Sequence, residues 1–461
     1  MRAAVFFTIA CSGGLFKNCT LISLPDVRGA ARAGQRLRYC LSETDRPENN
    51  SRRRTAKALR QHEVDMSLIS AEIAGYLEKS SWIRKMFEAG IALKKQYGEQ
   101  AVCDFSLGNP DLPAPPAVGD ALRTMAENAG KPFAFGYMPN GGFQWAREAL
   151  AGQVSAEQGM PVDAGDLLLS CGAAGALNAF FRAVLEPGDE VLAVAPYFVE
   201  YGFYVSNHQG VFKTAMSRPE TFELDIEAVE ARITPKTRAL IINSPNNPTG
   251  VVYSREELEA LAALLERKSR ENGRPVYLIA DEPYRFLSFD GVKVPSVLPL
   301  YPFSVVVNSF SKNLSLAGER LGYICLSPLM ENRAELMAAL TLTNRILGFV
   351  NPPVIGQHVM AHALGSQVDV GVYAQRRDAM AEVLSGAGYQ FSMPKGAFYF
   401  FPKAPGGDDV EFCRVLMEEK VLAVPGSGFG GPGYFRLTFC VDEEVIRRSA
   451  GGFARAMAHF A

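Results

Sequence analysis

Residues 304–322 read SVVVNSFSKNLSLAGERLG. The stretch opens on a β-branched, continuously apolar run and passes at once into serine, asparagine and glycine. A run with no polar alternation marks a strand covered on both faces, as in a parallel sheet, and the glycine-containing stretch behind it marks the loop at that strand's carboxyl end. Runs of the same kind recur upstream: LLLS (167–170), EVLAVA (190–195), RALIIN (238–243) and VYLIAD (276–281). Helical stretches separate them. Ala173–Leu185 is closed by Pro187-Gly188, and Ser254-Arg-Glu-Glu opens another with a cap and acidic residues in its first turn. Strands alternating with helices predict an α/β domain whose ligands gather at the carboxyl ends of the strands.

The last ninety or so positions change character. A helix over 371–386 precedes AFYFFP (397–402), a helix starts near Asp408, and the strand YFRLTFC (434–440) follows. This predicts a smaller α+β domain, completed in space by residues 66–115. The chain has 461 residues, 48% of them hydrophobic and 21% charged, with a formal net charge of −2. That is ordinary globular usage, and it offers no overall field for nucleic acid or an anionic membrane. Eight cysteines show no CxxC spacing and only five histidines accompany them, so neither a zinc cluster nor a disulfide framework is expected, and a reducing cytoplasm is. At the amino end, residues 3–10 are apolar behind Arg2 and Cys11 follows, in the manner of a lipoprotein signal, but Gly13-Gly14 cuts the run short. It cannot span a bilayer. Positions 28–60 are Arg-rich and poor in apolar periodicity. Residues 1–65 are therefore expected to be a disordered extension, or to precede a true start at Met66, and not to direct export.

Four motifs fall where such a sheet brings ligands. Lys312 lies between Ser309, Ser311 and, eight residues on, Arg320. A lone lysine in a loop is usually solvated, but a Schiff-base lysine needs neighbouring positive charge to keep its amine partly neutral, and a hydroxyl with a guanidinium can hold a phosphate. Asp281-Glu-Pro-Tyr284 ends the strand at 276–281. A carboxylate there either caps a helix or pairs with a cation such as a protonated pyridine nitrogen. Asn243-Ser-Pro-Asn-Asn247-Pro-Thr-Gly250 is explained by turn chemistry alone, and Ser170-Cys-Gly172-Ala173-Ala174-Gly175 either packs closely or presents helix-start amides to an anion.

Taken together, SFSK with an arginine eight residues later, DxxY and NxxxNPTG resemble the fold-type I pyridoxal-phosphate aminotransferases, the aspartate-aminotransferase-like class I/II family, from about Ser81 onward. The resemblance implies a mostly parallel, seven-stranded-type large domain over 116–370 and a smaller α+β domain formed by 66–115 and 371–461. It implies that Lys312 carries the cofactor and acts as general base, that Asp281 pairs with the pyridine nitrogen, and that Tyr284 and Asn247 bond the phenolic oxygen. It further implies that Ser309, Arg320 and the amides of Ala173 and Ala174 hold the phosphate. Tyr197 aligns with the aromatic that stacks on the ring, with Phe198 one place away. Arg436, in YFRLTF, matches the arginine that grips the substrate α-carboxylate, aided by Asn247 and the amide of Gly108. Tyr137, in GYMPNGG, matches a tyrosine reaching the neighbouring subunit's phosphate, which implies a homodimer with shared active sites.

Two departures bear on substrate. Where aspartate-specific members carry a lysine, two places after Gly172, this chain has Ala174. Where they carry an arginine five residues before Asn351-Pro-Pro, it has Ile346, with Arg345 one residue off. The expected activity is transamination from an amino acid to a 2-oxo acid, 2-oxoglutarate or pyruvate, with no metal. The same cofactor chemistry also serves C–S β-lyases and decarboxylases. A ligand-sensing regulator with an aminotransferase-like domain is the reading from a different class, although residues 1–65 lack a helix-turn-helix pattern.

Overall fold

A computed structural model describes residues 68–78 and 82–460. The expectations for residues 1–65 and for Met66 lie outside the described residues. The chain divides after Ser70, and the unit Ala71–Ala461 carries every strand of the described residues.

A two-residue strand β1 (Cys103–Asp104) precedes seven strands: β2 (Leu167–Ser170), β3 (Glu190–Ala195), β4 (Val211–Met216), β5 (Thr237–Asn243), β6 (Tyr277–Asp281), β7 (Ser304–Ser309) and β8 (Gly322–Leu326). These seven form one sheet in the order β2-β8-β7-β6-β5-β3-β4. Pairs β3/β4, β3/β5, β5/β6 and β6/β7 are parallel, while β8 is antiparallel to both β7 and β2. Six strands thus share one direction and β8 runs against them. The reading of a mostly parallel sheet is borne out, with two strands added that the apolar runs had not marked, β4 and β8. Edge strand β4 exposes Val211 and Met216 and so lacks a continuous apolar run. β8 starts directly behind the GERLG loop.

Both faces of the sheet are covered. Leu169, Leu192, Leu240, Leu278 and Val306 pack into one apolar core and Leu168, Val191, Ile241, Ile279 and Val305 into another. The alternation is that of successive side chains on opposite faces of a strand. Register then positions the chemistry. Asn243 pairs with Asp281 across β5/β6, and both Ser170 of β2 and Ser309 of β7 pair with Gly322, so the carboxyl ends of β2, β5, β6 and β7 lie along one edge.

The remaining strands are β9 (Tyr399–Phe400), β10 (Val421–Leu422), β11 (Val424–Pro425) and β12 (Phe435–Thr438). Three of them form a separate antiparallel sheet, β11-β12-β9, while β10 pairs in parallel with β1. Phe398, Phe400, Phe412, Phe435, Phe439 and Phe453 are fully buried in the core beneath them. Each such ring contributes about 1.5–3 kcal/mol relative to its exposed state. Phe105, just after β1, is buried in the same core. Helices Val370–Gly386 and Asp409–Glu418 form where periodicity placed them, the latter capped by the Asp408 carboxylate, which accepts from the Val410 and Glu411 amides. Among the described residues no helix is long and apolar enough to cross a membrane.

Candidate active site

The carboxyl edge of the large sheet and strand β12 of the small one border a cavity of about 340 Å³. Two carboxylates, Asp281 and Glu282, are buried side by side at the end of β6, a costly arrangement unless each finds a partner. Glu282 has one: Arg285 Nη1 lies 3.2 Å from both of its oxygens and Gln158 donates at 2.9 Å. Asp281 has half of one. The Tyr201 hydroxyl donates to Oδ2 at 2.6 Å, and Oδ1 has no partner. Burial pushes the Asp281 carboxyl up to about 7; the Tyr201 hydrogen bond opposes this and the Glu282 charge adds to it. A buried carboxylate with one free oxygen facing a cavity fits a cationic ring nitrogen.

Lys312 follows β7 and donates from Nζ to the Gly108 carbonyl at 2.9 Å, with its ammonium 5.5 Å from the centre of the Phe398 ring. Burial pulls its amine down to about 8; Cys440 works against this, while the Arg436 and Arg320 charges reinforce it. A substantial neutral fraction near neutral pH suits a nucleophilic or basic amine. Gly108 is required here by space, because a Cβ on it would stand 2.1 Å from the Tyr399 hydroxyl. That hydroxyl lies 3.0 Å from the Tyr284 hydroxyl, which burial holds well above its ordinary range and therefore protonated.

The loop after β5 is tied to the strand end through Asn243, whose Nδ2 donates to the Asp281 carbonyl and whose Oδ1 accepts from the Asn247 amide, both at 2.7 Å. Asn247 Oδ1 in turn accepts from Arg436 Nη1 at 3.1 Å, and Arg436 Nη2 donates to the Ser106 carbonyl at 2.6 Å. The guanidinium lies 4.7 Å from the ring centres of Tyr399 and Phe429, and its Nε has no partner. Arg436 is buried, which lowers its pKa. Among the described residues no carboxylate pairs with it. A buried cation in this state is unfavourable by several kcal/mol until an anion reaches it.

At the opposite end, helix Gly172–Val184 begins at β2 with Gly172 in left-handed backbone (φ 70°). A side chain there is strained, and its Cβ would meet Arg320 Nη2 at 2.8 Å. Ala173, Ala174, Ser309, Ser311 and Arg320 border this end of the cavity. A helix start, hydroxyls and a guanidinium together form an anion cradle.

The structure thus gathers Gly108, Ala173, Ala174, Asn247, Asp281, Tyr284, Ser309, Lys312, Arg320 and Arg436 around one cavity. Two expected residues, Tyr137 and Tyr197, do not border it. Tyr197 packs edge-on against Phe212 and beside Gly430, and Phe198 borders the cavity instead. Tyr137 is 96% exposed. Arg345 sits in the last turn of helix Arg333–Ile346, exposed and away from the cavity. Sequence reading passed over Tyr201, which lies in APYFVEY without a motif, and Tyr399, which AFYFFP presents as a core aromatic. It also passed over Glu200 and Tyr204, both bordering the cavity.

Residues 100–453 match the family model described as aminotransferase class I and II. The aspartate/prephenate aminotransferase of Thermus thermophilus is 34% identical over 364 residues, covering 76% of this chain and 89% of that protein. An amino transferase structure from Eubacterium rectale superposes with a TM-score of 0.82 at 39% identity, over 86% of this chain and all of that one. The Thermus thermophilus aspartate aminotransferase crystallised with maleate gives 0.74 at 30% identity, over 85% of this chain and 100% of that one.

Proposed function

Because this chain belongs to the class I and II aminotransferases and is a pyridoxal-phosphate-dependent transaminase, we propose that Lys312 carries the cofactor and that Asp281, Tyr284, Asn247 and Arg436 complete the catalytic site. The residues fit the group: Asp281 has an orphaned buried oxygen for a ring nitrogen, and Gly172, favoured by its left-handed backbone, lets Arg320 close over a cradle for a phosphate. Ser309, Arg320 and the amides of Ala173 and Ala174 hold that phosphate, and Phe198 supplies the apolar wall. Bound pyridoxal phosphate supplies an aldehyde for the lysine amine and a ring that withdraws the electrons left by deprotonation of the substrate.

The protein's own part is positioning and proton transfer. Arg436 takes the substrate α-carboxylate through its planar fork, with Asn247 fixing the guanidinium and the Gly108 amide nearby. Lys312 Nζ, partly neutral, accepts the proton from the substrate α-carbon and returns one elsewhere. The Tyr284 hydroxyl stays protonated and donates to the cofactor's phenolic oxygen. The reaction is a two-stage exchange in which an amino acid leaves as its 2-oxo acid and a second 2-oxo acid, 2-oxoglutarate or pyruvate, leaves as an amino acid. The exposed Phe133, Phe135 and Tyr137 support a homodimer in which Tyr137 reaches the other subunit's phosphate site. The cytoplasm suits an enzyme of this chemistry whose cysteines, among the described residues, are free and all but Cys171 buried. With Ala174 in the cavity and Arg345 outside it, a distal carboxylate has no dedicated cation among the described residues of one chain.

The observation that carries this reading is a single cavity in which Asp281 and Arg436 each keep an unpartnered polar atom while a partly neutral lysine borders the same space. A half-reaction screen of the loaded enzyme against the twenty amino acids tests it. The expected result is loss of the visible cofactor band with release of the matching 2-oxo acid. Release of a thiol with pyruvate, or of an amine with carbon dioxide, would instead make the enzyme a β-lyase or a decarboxylase.

A further inference from the structure

The geometry points to Tyr201 as a positioning residue that acts through Asp281: its hydroxyl occupies one carboxylate oxygen, leaves the other for the cofactor ring, and decides on which side the proton they share resides. This rests on the assignment of Asp281 as the partner of the ring nitrogen. Tyr201 is 1% exposed in helix Glu200–Ser206, and no motif points to it. Its hydroxyl is the one hydrogen-bond donor to the Asp281 carboxylate among the described residues, at 2.6 Å to Oδ2. Its ring meets Phe198 edge-on, with centroids 5.6 Å apart and planes at 82°. A single side chain therefore steadies both the carboxylate and the aromatic wall of the cavity.

The chemistry follows from competition for one proton. A pyridine nitrogen and a facing carboxylate share it, and it settles on the stronger base. The groups around Asp281 that carry or can carry charge are Glu282 beside it and Tyr201 and Tyr204 on the neighbouring helix. Glu282 and burial both make the carboxylate more basic, which draws the proton away from the ring. Donation from the Tyr201 hydroxyl stabilises the ionised carboxylate and returns the proton to the ring nitrogen, where it raises the ring's capacity to withdraw electrons. Tyr201→Phe keeps the ring, its contact with Phe198 and its volume, and removes only the donor.

The test is nitrogen NMR of the enzyme loaded with pyridoxal phosphate carrying ¹⁵N in its ring, since the ring-nitrogen shift separates protonated from unprotonated pyridine. Wild type is expected to show the protonated nitrogen at neutral pH. Tyr201→Phe is expected to move the signal toward the unprotonated value and to lower kcat by about tenfold to a hundredfold, the loss expected for a hydrogen bond to a charged group, with KM and melting temperature little changed. A protonated ring in Tyr201→Phe would overturn the inference and leave Tyr201 a packing residue. Asp281→Asn, measured alongside, separates the two layers. If Asp281→Asn deprotonates the ring and Tyr201→Phe does not, only the role of Tyr201 fails; if neither does, the assignment of Asp281 fails with it.

Discussion

Asp281→Asn is expected to lower kcat by roughly two to four decades while making the cofactor-free protein more stable at pH 8. The first effect follows from removing one member of a buried ion pair, which costs about 3–5 kcal/mol when the other charge stays behind. Cofactor should remain bound through Arg320, Ser309 and the helix start, so the loss falls on kcat. The second effect follows from linkage. The Asp281 carboxyl titrates near 7 in the folded protein, against about 3.9 in an unfolded chain. Between those values the folded state binds more protons than the unfolded one, so this group's contribution declines as pH rises from about 4 to about 7. Asparagine carries no charge to bury and escapes that decline. Calorimetry of the cofactor-free proteins should therefore show a stabilisation of a few kcal/mol at pH 8 that shrinks toward pH 5. Near-normal turnover, or a stabilisation equal at both pH values, would remove Asp281 from its assigned role.

Arg436 should act on every substrate alike. It is the buried cation that two acceptors, Asn247 Oδ1 and the Ser106 carbonyl, and two aromatic rings hold in place without neutralising. Truncating one partner of a buried, hydrogen-bonded charge pair costs about 2–5 kcal/mol. Arg436→Ala should accordingly lower kcat/KM by several decades for amino acids and 2-oxo acids of any side chain. Arg436→Lys keeps the charge but loses the planar fork and the stacking on Tyr399 and Phe429, so it should recover only part of the loss. Steady-state kinetics with alanine, aspartate, pyruvate and 2-oxoglutarate will distinguish this from a side-chain effect. A loss confined to the dicarboxylates would move Arg436 from the α-carboxylate to the distal one.

The parts of this site legible in the sequence are those that the backbone places. Asp281 and Ser309 end strands buried on both faces and Lys312 follows one, and such strands announce themselves as unbroken apolar runs; Ala173 and Ala174 open the helix after another. Residues whose role depends on contacts far along the chain left no such mark. Tyr201 meets Asp281 across 80 positions, and Tyr284 meets Tyr399 across 115. Both Tyr201 and Tyr399 look like ordinary core aromatics until the sheets are assembled. The choice between Tyr197 and Phe198 turned on a one-residue shift in the irregular segment before the helix at Glu200, where no period constrains which side chain faces the cavity. The edge strand β4 was missed because its exposed side has no reason to be apolar. Strand β8 is short, and its apolar run is confined to Tyr323–Leu326, directly behind the loop that carries Arg320.

The assignment on which the rest depends is that Lys312 bonds covalently to the cofactor. Reduction of the loaded enzyme with borohydride, followed by proteolysis and mass spectrometry, addresses it directly. The expected result is a single phosphopyridoxyl adduct on Lys312, in the peptide that contains SFSK, and none in Lys312→Ala. An adduct on another lysine in the wild-type enzyme, or an undiminished adduct in Lys312→Ala, would contradict it.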